Sequence, residues 1–398
     1  MFGETWLPLA IGLLVLGSVS GQPVLTALGV LLFCAGAVAR LWSRWALFRV
    51  EYQRDLAEHR AFLGESVALS MRLTNRKFLP LHWILVREEI PHDLRVPEAT
   101  IEPAPAPGRV YLSRATSLAW YERVGWRYRL VCRQRGYYRI GPTRVRSGDL
   151  FGFFPVEFQE PAVEYLLVYP RTVEMAEPDL PFKRPYGDVR SRERLFEDPS
   201  RVMGLRDYRP EDPMKHIDWK ATARRGSLQV RQFEPTITLH LVIILNINTL
   251  PHSWEGHIPE LLDEAITTAA SLARHATAAR WAVGLFANGS FPQSDLPIRL
   301  LPSRDARQLL HVLEALAVIS PMATAAIEDL VREERHTLPL GATIALVTAL
   351  ATEALWLALA SLRADGHRVA LVWVGDQPPP ACPVAGVSIH RARDFLQL

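Results

Sequence analysis

The stretch Gly204-Leu-Arg-Asp-Tyr-Arg-Pro-Glu-Asp-Pro-Met-Lys-His-Ile-Asp-Trp-Lys220 is the densest mixture of acids, bases and aromatic residues in the chain. It is followed by Leu239-His-Leu-Val-Ile-Ile-Leu245, a largely apolar run. A strand that is buried on both faces of a parallel sheet has this composition. The run therefore indicates the first strand of an α/β domain, with the charged stretch directly before it.

Helical and strand-like patterns alternate from this strand to the end of the chain. The spacing of apolar residues predicts helices at 259–280, 303–318, 323–336 and 352–364, and strands at 281–287, 342–348 and 368–374. Strands that alternate with helices form a doubly wound parallel sheet. We place this α/β domain at residues 236–398.

The N-terminal region carries no charged side chain from Thr5 to Ala39. Two apolar runs, Trp6–Ser20 and Val24–Ala39, are separated by a Gly-Gln-Pro turn signal. One continuous helix would be roughly 50 Å long, against a bilayer core of about 30 Å. The pattern predicts a two-helix transmembrane hairpin at residues 1–45. A cleaved signal peptide is the alternative, which the lack of basic residues before the first run disfavours.

Arginines and tryptophans follow the second apolar run. Arg40, Arg44 and Arg49 surround Trp42 and Trp45. Positive charges mark the cytoplasmic side of a membrane, and tryptophans prefer its interface. The sequence thus predicts a multi-pass protein of the inner (plasma) membrane whose soluble domains are cytoplasmic.

Residues 46–181 show the alternation of half-buried strands. Apolar side chains recur at every second position in Val67–Leu73 and in Trp126–Cys132, and turn signals separate such runs. This pattern predicts a β-sandwich-like domain. Arginines alternate with the apolar residues of the second run. They indicate a solvated face rather than a nucleic-acid site, because stacking platforms need aromatic rings on the charged face; contact with anionic lipid is the alternative.

Four motifs occur in the order found in one bacterial family: Arg135-Gly-Tyr-Tyr-Arg-Ile-Gly-Pro142, Ser147-Gly-Asp-Leu-Phe-Gly-Phe-Phe154, Gly204-Leu-Arg-Asp-Tyr-Arg-Pro210 and His216-Ile-Asp-Trp-Lys-Ala-Thr-Ala-Arg224. On these motifs the chain resembles the family named "domain of unknown function 58". The resemblance implies a two-span membrane anchor, a β domain, a linker or joint at residues 182–235, and a domain like a von Willebrand factor A domain. It also implies protein partners, namely a MoxR-type AAA+ ATPase and a transglutaminase-like membrane protein.

The resemblance further implies a metal-ion-dependent adhesion motif, Asp-x-Ser-x-Ser, directly after the first strand of the α/β domain. Its carboxylate and hydroxyl oxygens suit a hard divalent cation. This chain has Asn246, Asn248 and Leu250 at the three ligand positions. Because neutral ligands bind such a cation weakly, we predict a degenerate site without a functional metal or cofactor. Whether residual binding survives at Asn246 and Asn248 stays open.

The charged stretch allows two hypotheses. A hydrolase or transferase could use Asp212, His216 and Asp218. We favour a structural and docking role, because Pro213 interrupts the helical spacing and bidentate arginine–carboxylate pairs account for the composition. Asp218 is expected to pair with Arg206, Arg209 or Arg224. The residues assigned to this role are Arg206, Asp207, Tyr208, Arg209, Asp212, His216, Asp218, Trp219 and Arg224.

Composition excludes several other classes of protein. The formal net charge is +3 over 398 residues, which implies no polyanion partner. The three cysteines lie far apart and form no C-x-x-C, so a disulfide framework is not expected. P-loop, dinucleotide-binding and zinc-finger spacings do not occur. The sequence therefore predicts a non-enzymatic, membrane-anchored adaptor that binds proteins and not nucleic acid.

Overall fold

The structure is a computed structural model that describes residues 2–175, 197–210, 212–235, 239–252, 255–292 and 294–395. The chain divides into two compact units. The first comprises Met1–Arg171 with Leu313–Ile319, and the second comprises Thr172–Val312 with Ser320–Leu398. The domain boundaries predicted at 181–182 and at 236 lie outside the described residues.

Two helices begin the first unit: α1 (Phe2–Ser20) and α2 (Pro23–Ala46). Gly21 turns the chain between them at φ +64°, a conformation that glycine adopts without strain. The helices pack closely, since a Cβ added to Gly29 would lie 2.9 Å from Leu14. By length and composition α2 is long and apolar enough to cross a membrane, whereas the apolar part of α1 is shorter.

The strands of the first unit form three sheets. They are β1 (Val50–Leu56), β2 (Arg60–Phe62), β3 (Ser66–Asn75), β4 (Leu81–Pro91), β5 (Leu94–Arg95), β6 (Thr100–Pro103), β7 (Arg109–Leu118), β8 (Arg123–Cys132), β9 (Gly136–Ile140), β10 (Thr143–Ser147), β11 (Val156–Glu160) and β12 (Glu164–Tyr169). The strand orders are β1-β3-β8-β5, β11-β10-β4-β7-β6 and β2-β12-β9. Neighbouring strands are antiparallel except for β2 and β12.

All three sheets contribute to one hydrophobic core. The alternation predicted for Val67–Leu73 is confirmed, because every second side chain of β3 is buried. The arginines of β8 are exposed while Tyr128, Leu130 and Cys132 are buried. The alternating arginines of this strand therefore form its solvated face.

A buried ion pair connects two of these sheets. Arg54 of β1 pairs with Glu88 of β4, and their side chains are 4% and 0% exposed. Glu88 also accepts hydrogen bonds from the hydroxyls of Tyr52, at 2.6 Å, and of Thr143. Burial, followed by the charge of Glu88, raises the pKa of Tyr52 well above its usual value. Glu88 is thus an acceptor that joins β1, β4 and β10.

The remaining elements include a six-stranded sheet and a two-stranded one. The strands are β13 (Glu197–Asp207), β14 (Gln229–Pro235), β15 (His240–Leu245), β16 (Ala282–Ser290), β17 (Pro297–Ser303), β18 (Thr343–Thr348), β19 (Arg368–Trp373) and β20 (Val387–Arg391). The helices are α3 (Trp219–Arg225), α4 (Pro259–Ala278), α5 (Gln308–Val318), α6 (Ile327–Glu334), α7 (Glu353–Ala364) and α8 (Ala392–Phe395). The large sheet has the order β17-β16-β15-β18-β19-β20 and is parallel apart from β17.

The central strand β15 is buried from Leu241 to Leu245, as its apolar composition predicts. From β15 the chain adds strands on one side as far as β17, then returns to β18 and adds strands on the other side. The order therefore reverses between β15 and β18. The carboxyl ends of strands at such a reversal form a crevice that commonly binds ligands.

Three predicted elements in this α/β region have wrong bounds. The helix predicted from 303 begins at Gln308, because Pro297–Ser303 pairs with β16 as an antiparallel edge strand. The strand predicted to end at 287 continues to Ser290, and Gly289 bridges to Ala323. This bridge keeps Ala323 out of the helix. The helix predicted at 323–336 therefore begins later, and the structure has it at Ile327–Glu334. The sequence patterns also missed β17 and β20.

Candidate functional site

Residues 204–231 form one local element, termed the hairpin insert. β13 and β14 run antiparallel, with Asp207 opposite Gln229. Their connection folds into a 3-10 turn, Met214–His216, and the helix α3. A bridge between Ile217 and Val230, which are 5% and 2% exposed, attaches the connection to β14. A small apolar contact thus holds the polar residues of the motif in place.

Asp212 is an arginine-bound carboxylate in the hairpin insert. Arg206 donates to both of its oxygens at 2.6 Å, and the main-chain N–H of Arg209 donates at 2.8 Å. The bonds from Arg206, followed by the bond from Arg209, lower the pKa of Asp212 to about 2. Asp212 is therefore ionised at neutral pH and fixes the turn after β13.

Asp218 caps the N-terminus of α3. Its Oδ1 accepts hydrogen bonds from the main-chain N–H groups of Lys220 and Ala221, at 3.1 and 3.0 Å, as an N-cap residue does. Its Oδ2 accepts from Arg231 Nε at 3.0 Å. The bond from Ala221, followed by the one from Arg231, lowers the pKa of Asp218.

The predicted partners of Asp218 were Arg206, Arg209 and Arg224, and this prediction is wrong. Asp218 lies before the first turn of α3, whereas Arg224 lies in its last turn. Arg231 comes close because β14 returns beside the connection through the bridge to Ile217. Sequence spacing contained no signal for a contact made by a returning strand.

Gln229 was also missed, although it joins three elements. It is fully buried, and its side-chain amide donates to Asp207 Oδ1. Arg225 donates to Gln229 Oε1 at 3.2 Å, and the main-chain N–H of Gln229 donates to Thr222 Oγ1 at 3.0 Å. A buried glutamine needs such partners, because an unsatisfied amide would be costly. It links β13, α3 and β14.

The remaining residues of the motif differ in exposure. Tyr208 and His216 are half-buried, and Arg209 and Arg224 are exposed. Trp219 is 64% exposed, close to the 65% of Met214. Within the described residues, no group of three His, Cys, Asp or Glu side chains is arranged to hold a metal ion.

Acid should loosen the hairpin insert through Asp212. Its pKa of about 2 in the folded protein is below the unfolded value of about 3.9, so its stabilisation is present above pH 4 and is lost as the pH falls towards 2. Hydrogen exchange of peptides from 204–231, corrected for intrinsic rates, should show protection falling as the pH is lowered from about 4 towards 2. Asp212→Asn should flatten this dependence. An identical profile in the variant would contradict the assignment.

A second polar cluster lies at the carboxyl ends of β15, β16 and β18. Asn246 Nδ2 donates to Thr348 Oγ1 at 3.1 Å. Asn246 Oδ1 accepts from Asn288 Nδ2 and from the main-chain N–H of Asn248, both at 3.1 Å. Asn288 Oδ1 accepts from the N–H of Ile247 at 2.9 Å. We term Asn246, Asn288 and Thr348 the amide lock.

The amide lock occupies the position predicted for the degenerate metal site. Asn246, Asn288 and Thr348 are at most 4% exposed. Because main-chain N–H groups bind both Oδ1 atoms, the amide orientations are fixed, and Asn246 Oδ1 already accepts two bonds. Thr348 Oγ1 also bonds to the main chain of Leu350. Leu250 contributes no polar side chain. The sequence patterns place Thr348 at the end of a strand and Asn288 directly after one, and they give neither residue a part in the site.

Comparisons with known proteins give distant relationships. The "Uncharacterized protein YeaD" of Bacillus subtilis (strain 168) is 22% identical over 210 residues, which is 52% of this chain and 50% of that protein. The match thus spans about half the length of that relative.

Two solved structures share low similarity with this chain. The CARDB domain of the PF1109 protein from Pyrococcus furiosus, in complex with di-metal ions, is 16% identical, with a TM-score of 0.20 over 30% of this chain and 89% of that one. An aerotolerance-related membrane protein from Bacteroides fragilis NCTC 9343 is 17% identical, with a TM-score of 0.27 over 37% of this chain and 73% of that one.

The family comparison is confined to the second half of the chain. The matched segment begins at the hairpin insert and includes the amide lock and the six-stranded sheet up to the end of β20. Residues 204–391 match the model of the family described as "Protein of unknown function DUF58".

Proposed function

We propose that this protein is a non-enzymatic, membrane-anchored adaptor whose hairpin insert docks a protein partner. The observation that carries the proposal is the use of the Asp212 and Asp218 carboxylates as structural acceptors. Asp212 is bound by Arg206, and Asp218 caps α3 while binding Arg231. A general acid or base works best with a pKa near the operating pH, and the pKa of each of these groups is lowered.

The exposed apolar side chains of the hairpin insert supply the docking surface. Trp219 and Met214 lie in the same short connection, which Asp212 and Asp218 hold in shape. Tryptophan is among the commonest anchors of protein interfaces. A MoxR-type AAA+ ATPase is the partner we propose, with a transglutaminase-like membrane protein as a further component. Both rest on the family resemblance.

The α/β unit supports a resemblance to a von Willebrand factor A domain. The order of its six-stranded sheet reverses between β15 and β18, and the antiparallel strand of that sheet, β17, lies at an edge. The amide lock stands where such a domain would bind a cation. We propose that this crevice is held together by side-chain hydrogen bonds instead of a metal.

Anchoring is proposed to come from α1 and α2, with the parts of the chain that follow them in the cytoplasm at the inner membrane. The support is the apolar length of α2 and the arginines that follow its apolar part. A C-terminal alkaline phosphatase fusion should be inactive, because this enzyme is active only outside the cytoplasm. A C-terminal fluorescent-protein fusion should be bright, because that reporter folds inside the cytoplasm. An active phosphatase with a dark fluorescent protein would reverse this topology.

A further inference from the structure

The loop Leu150-Phe-Gly-Phe-Phe154 between β10 and β11, termed the apolar loop, has no role in the proposed docking. Leu150, Phe151 and Phe153 are 52%, 67% and 42% exposed. Phe151 and Phe153 stack at a centroid distance of 5.6 Å. A contiguous exposed apolar patch of this kind marks a contact with protein or membrane.

Three main-chain N–H groups of the apolar loop are bonded by the residue that precedes the loop. Asp149, which is 1% exposed, accepts hydrogen bonds from the N–H of Phe151 at 3.0 Å and of Phe154 at 2.6 Å. The carbonyl of Asp149 accepts from the N–H of Gly152 at 3.2 Å. Non-helical backbone can enter hydrocarbon only when its polar groups have such partners. The loop therefore presents apolar side chains while the N–H groups of Phe151, Gly152 and Phe154 are already bonded.

The apolar loop packs against the two N-terminal helices. The ring of Phe154 meets Trp6 of α1 edge-on at 5.8 Å, and the guanidinium of Arg40 lies 5.6 Å from the same ring. Ser43 of α2 donates to the carbonyl of Phe154. Leu150 and Phe151 line an apolar groove together with residues of α2 that include Leu31, Cys34 and Val38.

This contact determines how deep the loop would lie in a membrane. Arg40 is the first charged residue after the apolar run of α2, so it marks the level of the lipid head groups. Cys34 lies six residues earlier, which is about 9 Å along a helix. Interfacial segments bury their apolar faces about 5–10 Å below the head groups.

We propose that the apolar loop inserts into the cytoplasmic leaflet and contacts lipid acyl chains. The proposal rests on the proposed anchoring by α2. Arg44 and Arg49 follow Arg40 where anionic head groups would lie, and Trp45 and Phe48, both about half exposed, stand at the interface level. Lipid is favoured over a protein partner because the groove is continuous with the apolar surface of α2.

Three single-label proteins test the insertion. Cys34 is exposed in α2, Phe151→Cys places a thiol on the apolar loop, and Ala106→Cys places one in the exposed β6–β7 turn. Ala106 is a matched control because it lies at the opposite end of its sheet from the apolar loop. Its turn adjoins the end of β4 and β7 where Pro91 pairs with Arg109, whereas the apolar loop follows β10 near the end where Leu81 pairs with Leu118.

The labelling is specific. Cys382 is replaced by serine in all three proteins, and Cys34 is replaced by alanine in the two variants with a new thiol. Cys132 remains, because it is fully buried and burial raises the pKa of its thiol to about 11. Each full-length protein carries an environment-sensitive fluorophore in vesicles of phosphatidylcholine and phosphatidylglycerol, with or without doxyl-labelled lipid.

The labels at 34 and 151 should both emit at shorter wavelength and be quenched by doxyl lipid to a comparable extent, while the label at 106 is unaffected. Quenching at 34 without quenching at 151 would overturn the loop proposal and leave the anchor intact. A blue-shifted but unquenched label at 151 would mean that protein covers the loop, which also overturns the proposal. If neither 34 nor 151 is quenched, the anchoring itself fails.

Discussion

Replacing Arg54 with methionine is expected to lower the free energy of unfolding of the β-rich unit by about 3–5 kcal/mol. Glu88 would then be a fully buried carboxylate without its counter-charge. Hydrogen exchange of β1 and β4 should report the loss as a decrease in protection of about two to four powers of ten. The same measurement gives the stability of this unit inside the full-length protein.

Two further variants separate the charge effect from the loss of an arginine side chain. Arg72→Met removes an exposed arginine of β3 that lies opposite Gln53, so we expect a change within about 0.5 kcal/mol. The double variant Arg54→Met, Glu88→Leu removes both charges and should recover part of the lost stability. Equal destabilisation by Arg54→Met and Arg72→Met would show that the Arg54–Glu88 pair is not structurally important.

Asn288→Ala is expected to destabilise the α/β unit by roughly 2–4 kcal/mol, since each buried group left without a partner costs about 1–3 kcal/mol. The substitution removes the acceptor for the N–H of Ile247 and the donor to the carbonyl of Ala325, and Asn246 Oδ1 loses one of its two donors. Hydrogen exchange of β15 and β16 should show the loss directly.

Asn248→Ala is the matched control for the amide lock. Asn248 contributes its main-chain N–H to the lock, and alanine retains that group. We therefore expect an effect within about 0.5 kcal/mol. If Asn248→Ala were as destabilising as Asn288→Ala, the side-chain hydrogen bonds of the amide lock would not be what stabilises the crevice.

Much of the fold follows from local sequence patterns. The alternation in β3 and the apolar run of β15 were sufficient to predict both strands. Burial on one face leaves an alternation of apolar and polar residues, and burial on both faces leaves a continuous apolar run. β17 was missed because two prolines flank its short pattern. β20 was missed because it is short and only half-buried along most of its length. Such edge strands depend on a neighbour that local sequence does not reveal.

The candidate sites could be predicted only in part. The 206–218 segment was singled out by composition, and Arg206 binds Asp212 within six residues. Arg231 and Gln229 were not identified, because β14 brings them back from the far side of α3. Asn246 was noticed as an altered ligand position. Its partners Asn288 and Thr348 lie on other strands, and only the sheet order places the three together.

The adaptor proposal is tested most directly by co-purification of the full-length protein from native membranes in mild detergent. Wild type, Trp219→Ala and Leu357→Ala are compared by quantitative mass spectrometry. Leu357 is a matched control because it is also an exposed apolar side chain, at 69% against 64% for Trp219.

We predict that a MoxR-type AAA+ ATPase is recovered with wild type and with Leu357→Ala. Trp219→Ala should lose it, since truncating an interface anchor costs about 2 kcal/mol or more, close to thirtyfold in affinity. Equal recovery with all three proteins, or the recovery of no AAA+ ATPase with wild type, would contradict the account.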